Sequence, residues 1–233
     1  MKKVEIKINK IRISRAFSTI LSWSLGILLA VGSLNLLNHW AGTAADADAD
    51  LLSGLHVMRG LDGFETIMEA LFLVCEVLIL DVLRRGFVRL SRFSLQLLVI
   101  VLMVFVALNG VASLWPSGVE VTDGANVVVS EFEGFRRNFV PLTAMVVYGA
   151  ELALGGVLTV FYRGSLRLLG VSLMICPTLV LMLSGVYTYL YTEVGGLTLA
   201  ELSTYYGVMR VVSFVLSVLP FVLVRKAVEG AED

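Results

Sequence analysis

Two carboxylates, Glu76 and Glu151, sit deep inside long apolar runs with no Lys or Arg at matching depth. At ~1.5 Å per helical residue, Glu76 lies ~18 Å from Phe64 and Glu151 ~18 Å from Phe139, where their runs begin. Both then fall near the middle of a bilayer. A lone carboxylate at that depth must be protonated, share a proton, bind a cation or face water. Two readings follow. The pair is a proton- or cation-binding site in a transport path, or it is two neutral groups held by a nearby backbone carbonyl or Ser.

A second polar layer is shallower. Glu69 lies ~7.5 Å along its run, Arg210 ~7.5 Å below Tyr205, and Asn109 ~9 Å from the end of its own run. Arg210 is expected to pair with Glu69, with Asn109 hydrogen-bonding nearby, so that the set joins three helices. In a transporter the same three residues would form an outer gate. Glu65, Glu69 and Glu76 share one helical stripe, within about 40° of one another. Glu65 belongs at the headgroups and needs no partner. Asp81, with Arg84 and Arg85, forms a cluster at the opposite interface.

Other chemistries find little support. His39 and His56 are the only histidines. No Ser/His/Asp set, HExxH or phosphate loop is present, so no catalytic residue, cofactor site or metal site is assigned. The two carboxylates alone could act as acid and base, which leaves a lipid-acting intramembrane enzyme as the third-ranked reading. Cys75 and Cys176 lie in apolar runs and read as small buried hydrophobes. The acidic run 46–50 opens like a calcium loop, but Leu51 and Val57 stand where Gly and Glu are needed.

The elements that must position these residues are membrane helices. The chain is 58% hydrophobic and 16% charged, with a mean hydropathy of +0.88. A net charge of −1 gives no basic excess for nucleic acid. The fold class expected is all-α, a polytopic bundle of six transmembrane helices at about 17–40, 64–85, 93–115, 139–162, 168–191 and 204–224. A basic segment, residues 1–16, precedes them, and a short acidic tail, 227–233, follows. The first segment alternates in part, which fits a surface-lying stretch or a disordered tail. A signal peptide competes for the first run, but its apolar length favours an uncleaved span. The loop around Asp123-Gly124 is expected to form a small hairpin.

The connectors 84–92 and 163–167 and both chain ends are basic, whereas the alternate loops are acidic or neutral apart from Arg136 and Arg137. Both termini are therefore expected on the cytoplasmic side, in a membrane of bacterial cytoplasmic type. Trp40, Trp115 and Tyr187, Tyr189, Tyr191, Tyr205 and Tyr206 would form the outer aromatic belt. Close helix packing is expected through Ser22, Gly26 and Ala30, and through Gly149, Ala153 and Gly156.

An internal repeat adds to this. Arg85-Gly86-x-x-Arg89-Leu90 matches Arg163-Gly164-x-x-Arg167-Leu168, and Leu108-Asn109-Gly110-Val111 matches Leu183-Ser184-Gly185-Val186. Glu76 and Glu151 share the latter spacing. The helices involved run the same way, so the bundle is expected to consist of parallel helical hairpins. The leading functional expectation is a small ion- or proton-coupled transporter or channel-like protein. The alternative is a non-catalytic subunit, assembly factor or sensor, binding a protein partner or a second copy of itself.

Overall fold

The computed structural model describes residues 9–43, 64–114, 119–121, 127–129, 131–193 and 199–231. The acidic run 46–50, His56, Trp115 and Asp123-Gly124 lie outside them, as do the side chains of Glu65, His39, Trp40 and Tyr191. Six long helices dominate: α1 (Arg15–Thr43), α2 (Phe64–Arg89), α3 (Phe93–Leu114), α4 (Glu131–Phe161), α5 (Ser165–Thr192) and α6 (Leu199–Ala227). Five of these are long and apolar enough to cross a membrane. The exception is α2. It has the length, but Glu65, Glu69, Glu76, Asp81 and three arginines interrupt its apolar surface.

Each helix packs on its sequence neighbour, and α1 also packs on α6, which closes the array into a ring. Tight corners at 90–92 and 162–164 make α2–α3 and α4–α5 antiparallel hairpins. At the α2–α3 corner, Ser91 adopts a left-handed conformation with φ 54°, and its N–H donates to the Val88 carbonyl at 2.9 Å. At the α4–α5 corner, Gly164 supplies φ 61°, a value that glycine adopts without strain.

Two small sheets accompany the helices. β2 (Val119–Val121) and β3 (Val127–Val129) form the antiparallel hairpin expected between α3 and α4, with Val119 opposite Val129. The second sheet was not anticipated. β1 (Ile11–Ser14), just before α1, pairs in parallel with β4 (Val228–Ala231), just after α6, and Ile11 lies opposite Val228. The partly alternating N-terminal segment thus ends in a strand. Its alternation buries Ile11 and Ile13 and exposes Arg12. Pairing of these two strands also places both ends of the bundle on one side, as an even number of traverses requires.

Fully buried side chains concentrate toward this strand end. They include Ile11, Ile13, Ile79, Leu83, Phe87, Leu154, Leu158, Leu166 and Leu169. Gly86 is buried because Ile11 crosses it, leaving no room for a Cβ. Asp81 sits here too, accepting bonds from Arg84 Nε at 2.8 Å and Arg85 Nε at 2.7 Å. The Arg85 guanidinium lies 4.4 Å over the Phe17 ring. At the far end the rings of Tyr187 and Tyr206 pack at a tilt of 48°, with centroids 5.1 Å apart, linking α5 to α6.

The close helix contacts involve other glycines than those expected. A Cβ on Gly26, Gly149 or Gly156 would meet nothing within 4 Å. The tight crossing lies between Gly155 of α4 and Gly170 of α5, where a Cβ on either would stand 2.7 Å from the other's carbonyl oxygen. Gly32, not Gly26, is the α1 glycine against α6, where Phe214 packs on it. Adjacent helix positions differ by 100°, so Gly155 and Gly156 face quite different neighbours. The RGxxRL segments also differ in backbone: Gly86 lies inside α2, whereas Gly164 is the residue before α5.

Candidate functional site

Glu76 and Glu151 line the same cavity, about 560 Å³ in volume, between α2, α3, α4, α5 and α6. Helical periodicity puts them there. On α2, Leu73, Glu76, Leu80 and Leu83 form a stripe at spacings of three and four residues, and on α4 Ala144, Val147, Glu151 and Leu154 do the same. The walls are otherwise mostly aliphatic and aromatic. Among the described residues no Lys, Arg or His lines the cavity.

Glu76 is enclosed by protein, yet it keeps an intermediate accessible area. Both hold because the area it retains opens into the cavity. Among the described residues, neither carboxyl has a hydrogen bond or an ion pair. Both carboxyls border the same mostly apolar space. At the low effective dielectric of such a site, two bare negative charges would repel strongly. A proton or a cation would relieve that repulsion.

The outer polar layer is arranged differently from the expectation. Asn109 reaches the cavity wall from α3, and its Nδ2 donates to the Val140 carbonyl at 2.9 Å and to Thr143 Oγ1 at 2.8 Å. Both amide hydrogens are used on α4, and no protein donor among the described residues reaches Oδ1. Arg210 does not meet Glu69. Its guanidinium lies 5.7 Å from the ring of Tyr206, one turn back on α6, while Glu69 is exposed. The reason is the ring: α1 packs against both α2 and α6 and separates most of their facing surfaces. Neither Glu69 nor Arg210 lines the cavity, so the expected three-residue gate is not assembled.

Several cavity residues escaped the sequence reading. Tyr148 stands three residues before Glu151, on the same helical face, and that spacing was the available signal. Its hydroxyl lies 3.1 Å from Thr178 Oγ1. Thr178 already donates to the Met174 carbonyl at 2.7 Å, so Tyr148 is the donor and ties α4 to α5. Pro177 and Pro220 also line the cavity. Lacking an N–H, they leave the carbonyls of Leu173 and Leu216 without their usual helical donor.

The lining has an internal correspondence. A shift of 75 residues carries Glu76 onto Glu151, Asn109 onto Ser184 and Leu102 onto Pro177, and all six residues face the cavity. The correspondence is partial, since Leu80, Leu83 and Gly110 line the cavity while Gly155, Leu158 and Gly185 do not.

Fold and cavity together define a class: an all-helical bundle of membrane-protein character with an acid-bearing apolar cavity. No family model matches the chain, and no characterised protein or solved structure does either.

Proposed function

We propose that this is a six-pass membrane protein that moves protons or cations through the cavity holding Glu76 and Glu151. In this reading α2 crosses the bilayer with the other five helices. Its carboxylates are tolerated because Glu76 faces the cavity, not lipid. Both ends lie on the cytoplasmic side, in keeping with the basic connectors. Duplication of one helical hairpin accounts for the paired lining positions, although the RGxxRL corners have diverged in backbone.

The observation that carries the reading is the convergence of two carboxylates from separate hairpins on one cavity without a basic partner among the described residues. A purely structural pair would have hydrogen-bond partners in the walls, and none is present among the described residues. The test is proton and monovalent-cation flux into liposomes carrying the purified chain, with Glu76→Gln and Glu151→Gln alongside. Flux that is present in the parent and at least tenfold lower in each variant supports transport. Flux absent in the parent, or unchanged in both variants, removes it. A stoichiometric partner co-purifying from native membranes would then favour the subunit reading.

A further inference from the structure

The size of the cavity and the nature of its walls are more specific than ion coupling requires. About 560 Å³ falls within the range of sites that enclose a small organic molecule, and far exceeds the space a dehydrated metal ion needs. Among the described residues no three metal-ligating side chains cluster, so nothing resembles the oxygen cage that a bare divalent ion takes. Apart from a few polar groups the walls are apolar, and Phe72, Tyr148 and Phe221 bring aromatic rings to them. The charge pattern is one-sided. Glu76 and Glu151 supply negative charge, Asn109 keeps an acceptor oxygen that no described donor reaches, and no described residue on the wall supplies positive charge. Glu76, with no hydrogen-bond partner among the described residues, opens into this space.

We propose that the cavity binds a lipophilic organic cation, a quaternary ammonium, phosphonium or protonated amine with apolar arms. The proposal rests on the reading that the Glu76–Glu151 pair takes cations, and it names their class. The carboxylates neutralise the charge from two sides. The apolar walls bury the arms, and the ring faces add attraction for the cationic centre. Proton and ligand compete for the same carboxylates. The titratable groups facing them are Tyr148 on α4 and Cys176 on α5, and the lining residues of α3 and α6 contribute none. Entry of the cation therefore displaces a proton from the pair.

The test uses the full chain in lipid nanodiscs, with empty nanodiscs as background. Radiolabelled tetraphenylphosphonium is the probe, and tetraphenylborate, of the same shape and opposite charge, is its control. Saturable phosphonium binding is expected, with release of protons into weakly buffered medium and no saturable binding of the borate. Glu76→Gln and Glu151→Gln each weaken phosphonium binding at least tenfold. A second measurement needs no variant: along the series from tetramethyl- to tetrabutylammonium, the affinity of the unmodified protein rises at least tenfold. Equal binding of phosphonium and borate, or a flat ammonium series, overturns the proposal. Absence of phosphonium binding with persistent glutamate-dependent ion flux also overturns it, while leaving transport standing as a small-ion activity. Glutamate-dependent phosphonium binding without any flux upholds the site and removes the transport reading.

Discussion

The Gly155–Gly170 crossing predicts that one substitution, Gly→Ala, will have opposite effects at neighbouring positions of α4. A Cβ on Gly170 would stand 2.7 Å from the Gly155 carbonyl oxygen, the Thr159 amide nitrogen and Thr159 Oγ1. Ordinary non-bonded contacts begin near 3.5 Å, so α4 and α5 would have to separate by about 0.8 Å. A gap of that size forfeits roughly a quarter to a half of each contact along the pair. Most of the nearby atoms are backbone and cannot swing aside. Overpacking of this kind costs about 1–3 kcal/mol. At Gly156, where nothing lies within 4 Å, the added methyl meets no neighbour. There Gly→Ala stabilises by roughly 0.5–1 kcal/mol through helix propensity alone. All three sites are helical and share the propensity gain, so Gly155→Ala and Gly170→Ala should be less stable than Gly156→Ala by the overpacking cost, about 1–3 kcal/mol. Far-UV circular dichroism during SDS titration in mixed micelles reads the difference. Equal stability of Gly155→Ala and Gly156→Ala would refute the assigned helix rotation.

Two further outcomes follow from named contacts. Asn109→Ala and Thr143→Val should each destabilise the bundle, and a double-mutant cycle should return a coupling of about 0.6 kcal/mol, up to ~1.7, the range for hydrogen bonds between membrane helices. Strict additivity would mean that the two side chains do not meet. Ile11→Ala should cost about 2–5 kcal/mol, the range for a fully buried isoleucine; the same SDS titration measures it, and a loss under ~0.5 kcal/mol, that of an ordinary surface change, would place β1 outside the core.

Helix existence was legible because apolar runs of bilayer length have few alternatives. Helix ends were less so. The reading stopped where polarity began, at Phe139 for the fourth run, yet α4 starts at Glu131 because backbone hydrogen bonding continues past the apolar stretch. The β2–β3 hairpin was visible in the Asp123-Gly124 turn signal between two valine-rich stretches. β1–β4 was not, because its partners are more than two hundred residues apart and Val228–Ala231 carries Glu229 and Gly230, both poor strand formers. Glu76 and Glu151 could be matched by depth alone, which survives ignorance of helix rotation. The Glu69–Arg210 pairing needed rotation and neighbour order as well. Depth could not reveal that Tyr206, a turn away, offers Arg210 a nearer partner.

The strand pair also bears on how the protein is made. β1 precedes all six helices in the chain and β4 follows them. Throughout synthesis β1 therefore waits with an unpaired edge, already able to dock Ile11 on Gly86 once α2 has arrived. An unpaired edge accepts any strand that fits. A chain that stalls before Val228 is thus a half-closed ring whose β1 edge lacks its own partner. Each ring can close upon itself only once Val228–Ala231 is in place.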